Sequence, residues 1–251
     1  MKFSFVLWVV FSCQLLGASN SLLLPSLFQG SPLFSNINFA QQSKKPFRFQ
    51  LLYENRFLLK DVSPKSICLE KSFAKHQWSI SFFDWGSKYY KERIGRLNYS
   101  MQISSRMSVG INAAVQTKKR FKSKLSVQLL PALGIQYKIL ENSKFFSSFQ
   151  LGKTELLIFK AYLGFSHEFA PSYQVYGLIK FSEEEKAFLS VGVRHERESG
   201  NEFVLQLNSK NYPLSIAYQL VWRQFSFRMS MYYHFQLGMS NHVGLGYQSM
   251  E

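Results

Sequence analysis

The strongest constraint on the fold is a strict alternation of apolar residues with small or polar residues between Ser126 and Ile139. One side of this stretch carries Val127, Leu129, Pro131, Leu133, Ile135, Tyr137 and Ile139, and the other carries Ser126, Gln128, Ala132, Gly134, Gln136 and Lys138. Only Leu130 departs from the pattern. Because successive side chains of a strand point to opposite faces, this stretch predicts a long strand with one apolar face and one polar face.

The preceding residues repeat this alternation. Met107, Val109, Ile111, Ala113 and Val115 alternate with Ser108, Gly110, Asn112, Ala114 and Gln116. We therefore predict that these two strands and the connection Thr117–Ser123 form one antiparallel hairpin. Within it Pro131 predicts a bulge, because proline cannot donate a hydrogen bond to a neighbouring strand.

Alternating segments bounded by turn residues recur along the rest of the chain, and about fourteen of them can be marked. We predict strands over Arg48–Lys60, Lys65–Phe73, His76–Gly86, Glu92–Ile103, Met107–Gln116, Ser126–Ile139, Lys144–Gly152, Leu156–Glu168, Ser172–Phe181, Lys186–Glu196, Glu202–Asn208, Tyr212–Trp222, Gln224–Phe235 and Asn241–Met250. The ninth and eleventh of these segments alternate least clearly.

Many of the predicted strands have about 10 residues, which is the length of a tilted strand that crosses a bilayer. Strands of soluble sandwiches centre nearer about five or six residues. A sheet exposed to lipid cannot leave backbone groups unpaired, so it must close on itself. We therefore predict an all-β protein, with residues 46–251 forming a single antiparallel transmembrane β-barrel of about fourteen strands. If the two weakest segments are loops, the barrel has about twelve strands. The alternative to a barrel is a periplasmic β-sandwich or open sheet.

The N-terminal residues predict export. Lys2 precedes an apolar run from Phe3 to Phe11, and the small residues Gly17, Ala18 and Ser19 follow. This order predicts a signal peptide over residues 1–19, and the apolar run is shorter than the ~20 residues of a membrane-spanning helix. Residues 20–45 have no sustained period and predict a periplasmic arm, either a disordered tether or a short plug in the barrel mouth. The predicted location is the cell outer membrane.

Composition fits this prediction. The mean hydropathy is only −0.11, but alternation hides the apolar half of a barrel strand in any averaged window. The formal net charge is +15, and it becomes +14 when the one Lys of the signal peptide is removed (15 − 1). An exported basic chain predicts outer-membrane lipid and lipopolysaccharide as partners rather than nucleic acid. Cys68 is the one cysteine after the signal peptide, which excludes an intramolecular disulfide.

The connections between predicted strands are short. Tight ones follow even-numbered strands, at Ala74–Lys75, Ser104–Arg106 and Phe169–Pro171. Periplasmic turns of bacterial barrels are the short ones, so both termini are predicted to lie in the periplasm. The opposite connections are also short, at Ser87–Lys91, Thr117–Ser123 and Ser182–Glu185.

The sequence carries no recognisable motif for enzymatic chemistry. His76, His167, His195, His234 and His242 have no metal-ligand spacing. The chain has no G-x-S-x-G motif, no phosphate-binding glycine loop and no cysteine pair. We predict that the protein is not an enzyme and has no cofactor. The alternative is a hydrolase with a Ser–His site on the barrel wall. Such a site is recognised from the positions of its side chains in space.

Basic residues occupy positions on the predicted inward faces: Arg48, Arg96, Lys138, Lys160, Arg194 and Arg228. In an open barrel they predict a positive lumen that favours anions. In a narrow barrel the same residues would pair with inward Glu or Gln and fill the interior. The charged runs Thr117–Lys124 and Ser182–Lys186 fit lipopolysaccharide phosphates and a divalent ion, respectively, although such runs are more often solvated loop tips.

Three segments carry a family resemblance: Tyr53–Ser63, Phe82–Ser100 and Arg106–Val115. In these segments, the chain resembles uncharacterised outer-membrane barrel proteins of Bacteroidetes-type bacteria, and Phe225–Gln248 resembles their last two strands. Those proteins are in turn similar to fatty-acid-transporter-like barrels and to barrel subunits associated with type IX secretion. The chain departs from the family at Phe34–Gln42, where a Gly/Ala-rich segment is missing, and at its last residues, which lack a terminal aromatic.

Two functional hypotheses follow. The inward basic residues and the resemblance favour a passive pore or transporter for small hydrophobic or anionic solutes. The short loops and the lack of a binding motif favour a non-conducting structural barrel that docks envelope or secretion partners. The pattern leaves the oligomeric state open.

Overall fold

The computed structural model describes residue 40 and residues 46–55, 63–121, 124–153, 157–182, 185–197, 200–209, 214–234 and 238–249. The described chain is a closed antiparallel barrel of 14 strands, as predicted. The predicted signal peptide and all of the predicted arm except Ala40 lie outside these residues. Among the residues that the structure describes, no helix is long and apolar enough to cross a membrane.

The strands, in chain order, are β1 (Phe47–Asn55), β2 (Lys65–Phe73), β3 (His76–Gly86), β4 (Tyr90–Gln102), β5 (Met107–Arg120), β6 (Ser126–Leu140), β7 (Ser143–Lys153), β8 (Leu157–Ala170), β9 (Tyr173–Ser182), β10 (Glu185–Glu196), β11 (Glu202–Asn208), β12 (Leu214–Trp222), β13 (Phe225–His234) and β14 (Gly238–Gln248). Strands β2, β3 and β11 have the predicted bounds. Strand β5 continues past its predicted end to Arg120, because Lys119 still pairs with Lys91 of β4.

Every strand pairs with its neighbours in sequence, and β1 pairs with β14 to close the sheet. In this closing seam Phe49 lies opposite Tyr247 and Leu51 opposite Leu245. The tight turns that follow β2 and β12 contain Ala74 and Arg223, whose φ angles are positive, 49° and 56°. β1 begins and β14 ends at the barrel end that carries these turns. We call this end the turn end, and the other the loop end.

The two faces of β6 confirm the predicted alternation. Val127 and Leu133 point outward and are each 62% exposed. Gln128, Ala132 and Gly134 point inward and are buried. The outer wall as a whole is apolar, with exposed side chains that include Ile80, Leu97, Ile111, Leu129, Phe165, Leu205, Ile216, Met229 and Leu245. The period of two therefore sorts the chain into an apolar outside and a mostly small or polar inside.

The prediction of a bulge at Pro131 is wrong. The register between β5 and β6 continues through the pair Ala113 and Pro131. β7 pairs with β6 only from Ala132 onward. Pro131 therefore lies just outside the ladder to β7, where a missing N–H breaks no hydrogen bond on that side. The irregularity in β6 lies between Lys138 and Leu140.

The exposure of Leu133 gives a test of the outward face. Leu133→Arg should cost roughly 2–4 kcal/mol of folding free energy in lipid vesicles, because a charged side chain would then face hydrocarbon. Gln136→Arg on the inward face should be much milder. Urea titration of both variants in vesicles measures the difference. Equal tolerance would mean that this face of β6 does not meet lipid.

Candidate functional site in the barrel interior

One part of the inner wall is apolar and aromatic. Its buried cluster consists of Phe146, Tyr162, Tyr176, Leu178, Phe188, Val204, Ala217 and Tyr232, which come from β7 to β13. We call this cluster the aromatic wall. The hydroxyl of Tyr176 donates a hydrogen bond to Gln206 Oε1 at 3.2 Å, so its polar atom is satisfied.

Glycines on neighbouring strands let two of these rings lie along the wall. A Cβ atom at Gly164 would lie 2.1 Å from Phe146 Cε1, and one at Gly192 would lie 2.4 Å from Tyr176 Cζ. Real Cβ atoms do not approach other atoms so closely, so the rings occupy the space that a side chain would take. The aromatic wall depends on these two glycines for its shape.

The basic residues of the interior pair with polar and acidic residues. The Nη2 atom of Arg194 donates to Glu196 Oε2 at 2.8 Å and to Glu202 Oε1 at 2.7 Å. Arg48 Nη1 lies 3.6 Å from Glu70 Oε1. Arg228, which is only 3% exposed, donates to Gln219 on the adjacent strand. Contacts of this kind are expected where charges are withdrawn from water.

Three of the six predicted basic residues lie on the inner wall toward the turn end: Arg48 on β1, Arg194 on β10 and Arg228 on β13. Arg228, Gln219 and Glu202 form one row across β13, β12 and β11, and Arg194 bonds to Glu202. We call Arg48, Arg194 and Arg228 the arginine cluster. Barrel closure produces it, because Arg48 and Arg228 are far apart in sequence.

The other three predicted basic residues lie elsewhere. Arg96 on β4 lies opposite Ser81 of β3 and Ala114 of β5. Lys138 lies near the turn end, opposite Lys144 of β7. Lys160 on β8 lies opposite Gln150 and Ser182.

Sequence reasoning did not single out the acidic partners Glu70, Glu92 and Glu202. All three are buried. Glu92 accepts hydrogen bonds from Tyr90, at 2.7 Å, and from Gln116. The available signal was their inward position in the alternation, which places a carboxylate among small or polar neighbours.

A polar part of the inner wall lies on β3 to β6. Asn98 and Asn112 are directly opposite each other and both are buried. On the same wall, Ser108 Oγ donates to the carbonyl oxygen of Ala40 at 2.7 Å, and Ala40 is fully buried. A residue that precedes β1 therefore lies inside the barrel. The choice between a tether and a plug for the rest of residues 20–45 stays a prediction.

The described residues make two Ser–His contacts, and neither has the geometry of a catalytic triad. Ser143 Oγ lies 2.8 Å from His167 Nδ1, and Ser230 Oγ lies 3.1 Å from His242 Nδ1. Asn142 Oδ1 contacts the Ser143 hydroxyl rather than the imidazole. A triad needs a third group that orients the histidine, and the described residues supply none at the second ring nitrogen of either. They also contain no group of three or more His, Cys, Asp and Glu side chains placed to hold a metal ion.

Comparison with known proteins agrees with this architecture. No protein-family model matches the chain, and no curated protein matches it in sequence. Among solved structures, the Pseudomonas putida toluene transporter TodX has a TM-score of 0.53 at 8% identity, with 94% of this chain and 95% of that chain covered. The KdgM porin in complex with disordered oligogalacturonate has a TM-score of 0.50 at 9% identity, with 81% and 99% covered.

The fold is that of a porin-like β-barrel. A TodX deletion mutant described as a monoaromatic hydrocarbon channel gives a TM-score of 0.56 at 8% identity, covering 93% of this chain and 94% of that one. At such identities the likeness concerns the fold alone. The resemblance to a Bacteroidetes-type family stays a prediction.

Because Phe146 packs over Gly164, we predict that alanine substitution lowers stability more at Gly164 than at a glycine without such a contact. Gly164→Ala should cost about 1–3 kcal/mol, because the new methyl group must displace the ring from the wall. Gly95→Ala on β4 is the matched control. A Cβ at Gly95 meets no atom within 4 Å, so this variant should change stability by less than about 1 kcal/mol. Urea midpoints in vesicles measure both, and similar costs would contradict the close packing.

Arg194 bonds two carboxylates of different exposure, and we predict that loss of the less exposed one lowers stability more. Glu202→Gln should cost about 1.5–3 kcal/mol, because its side chain is only 10% exposed and bonds a guanidinium that is itself largely shielded from water. Glu196→Gln removes a contact of similar length from the same nitrogen, but Glu196 is 49% exposed. Its cost should stay below about 1 kcal/mol. Equal urea midpoints for the two variants would contradict this ranking.

Proposed function

We propose that the protein is a bacterial outer-membrane barrel that passes small organic anions with an apolar body. The outer wall supports the membrane location. Exposed Leu, Ile, Phe and Met side chains cover strands around the whole barrel, whereas monomeric soluble proteins rarely expose large contiguous apolar patches. Most strands have between 9 and 15 residues, enough to cross a bilayer when tilted.

The observation that carries the solute class is the meeting of the arginine cluster with the aromatic wall. On β13, Arg228 and Tyr232 point inward from the same strand. On β11, Glu202 and Val204 lie beside each other on the inner face. A solute that combines a negative charge with an aromatic or aliphatic body would contact both groups. A purely polar anion or a neutral hydrocarbon would contact only one.

Two of the similar solved structures are described with solutes of one kind each, one charged and one apolar. One is a porin seen with oligogalacturonate, and another is a toluene transporter. Their solutes belong to those proteins. In this chain, charged and aromatic inner residues occur together, which is why we favour an amphiphilic anion over either extreme.

Passage through this barrel is proposed to be slow and selective. Ser100 and Ser148 on the inner wall are fully buried, and Ala40 lies against Ser108. A wide aqueous channel would leave such side chains exposed to water. Solute passage therefore requires displacement of the groups that cover this part of the wall.

The packed interior also supports a second candidate function, a non-conducting structural barrel that docks envelope or secretion partners. The described connections at residues 74–75 and 87–89 are short, which leaves room for a docking protein at these points of the two ends. In this alternative the buried Arg, Glu and Asn side chains fill the barrel and carry no solute.

Flux measurements with matched ions distinguish the candidates. In vesicles that contain the inserted protein, we expect benzenesulfonate to enter faster than benzyltrimethylammonium, which has the same ring and the opposite charge. Arg228→Gln should reduce the preference by about fivefold, since a unit charge pair is worth about 1 kcal/mol even in water-like surroundings.

Lys71→Gln is the control, because Lys71 is an exposed outward residue at the turn end; it should leave the preference unchanged. Equal entry of the two ions would contradict the anion assignment. Entry of neither ion, with the protein inserted, would favour the structural barrel.

A further inference from the structure

A basic patch lies on the outer face at the loop end. The register places Lys65 of β2 opposite Asp84 of β3, and Asp84 opposite Arg93 of β4. In the next row toward the loops, Lys91 of β4 lies directly opposite Lys119 of β5. We call these five residues the outer basic patch.

The charge of this patch is unbalanced. Asp84 Oδ1 accepts a hydrogen bond from Arg93 Nε at 2.8 Å and lies 3.6 Å from Lys91 Nζ. One carboxylate thus faces four cations, for a formal charge of +3 (4 − 1). Like charges directly opposite each other on a sheet destabilise it. An anion bound between Lys91 and Lys119 would offset that repulsion.

An apolar groove continues from the patch toward the middle of the barrel wall. Its volume is about 630 Å³, and Lys65, Asp84 and Arg93 reach into it. Its apolar lining includes Leu51, Tyr53, Ile67, Phe82, Val243 and Leu245. Leu245, Leu51, Ile67 and Phe82 form one row across β14, β1, β2 and β3. The next residue in that row is Gly95, which has no side chain and leaves the wall open beside Phe82.

We infer that the outer basic patch and this groove bind a phosphorylated glycolipid of the outer leaflet, with its phosphates on the cations and an acyl chain in the groove. The inference rests on the proposed outer-membrane location. In that location the start of β1, the end of β14 and the tight turns lie on the periplasmic side, so the patch lies on the cell-surface side. Arg and Lys are the side chains that bind phosphate most strongly.

The spread of the cations favours a headgroup with more than one phosphate. Lys65 and Lys119 are separated by the width of three strand spacings, from β2 to β5, or roughly 14 Å. One phosphate is too small to contact both ends of the patch. A disaccharide that carries a phosphate at each end has a suitable length, and its acyl chains extend toward the groove. A free phosphate ion would leave the groove without an occupant.

Native mass spectrometry of the full chain in detergent tests this inference. The probes are bisphosphorylated lipid A, the same lipid with its phosphates removed, phosphatidylglycerol and inorganic phosphate. We expect the wild-type protein to bind bisphosphorylated lipid A at least about tenfold more tightly than the other three. Lys91→Gln combined with Lys119→Gln should weaken that binding by about tenfold or more, since each basic residue contributes about 1 kcal/mol at an anionic surface.

Lys71→Gln combined with Lys75→Gln is the matched control, because it removes the same charge at the turn end. It should leave lipid A binding unchanged. A second measurement is the urea midpoint in phosphatidylcholine vesicles, with and without lipid A. Lipid A should raise the midpoint of the wild type and of the control, and it should not raise that of the Lys91/Lys119 variant. Without lipid A, that variant should have nearly the same urea midpoint as the wild type, because it loses a repulsive lysine pair and also the exposed ion pair between Lys91 and Asp84.

Unchanged binding in the Lys91/Lys119 variant would overturn the inference, as would equally tight binding of phosphatidylglycerol, of inorganic phosphate or of the lipid without phosphates. A barrel that inserts into vesicles but binds no lipid A would overturn this inference and leave the proposed membrane location standing. Failure to insert would overturn both.

Discussion

The structure depends on the hydrogen-bonded seam between its first and last strands. An open sheet would leave a row of N–H and C=O groups unpaired at each edge, which costs several kcal/mol per group in lipid. Pairing of β1 with β14 removes both edges. Small residues permit this contact, because a Cβ at Gly244 would lie only 2.4 Å from Leu52 Cδ2. Closure then decides which face of every strand meets the surroundings and which meets the interior.

Once the barrel is closed, the side chains of the interior must pack against one another, and their polar groups must find partners. Aromatic rings lie over glycines of neighbouring strands, and charged groups find partners on adjacent strands. Arg194 with Glu202, Arg48 with Glu70 and Arg228 with Gln219 all join adjacent strands. Each pair requires the correct register, because a shift of one residue would move every partner to the outer face. The polar pairs therefore also favour the observed register over its neighbours.

The sequence allowed prediction of the features that a single strand determines. The alternation from Ser126 to Ile139 was enough to identify β6 and both of its faces, and turn residues bounded even the weakly alternating β11. Features that depend on two strands could not be predicted in this way. The placement of Arg48 only two strands from Arg228 requires closure, and the ordinary register at Pro131 depends on where β7 stops pairing with β6. These relationships are set by the offsets between strands, which no local pattern records.

The two carboxylates bound to Arg194 suggest how a packed interior is compatible with the proposed transport. Its guanidinium already holds two carboxylates, one nearly buried on Glu202 and one half exposed on Glu196. An ion pair as exposed as that with Glu196 is worth at most about 1 kcal/mol. A solute carboxylate or sulfonate can therefore replace Glu196 at little electrostatic cost, while Glu202 keeps the arginine compensated and in place. In the proposed transport, this exchange of one anion for another would give a negatively charged solute a route along the packed wall, and it would give a cation none.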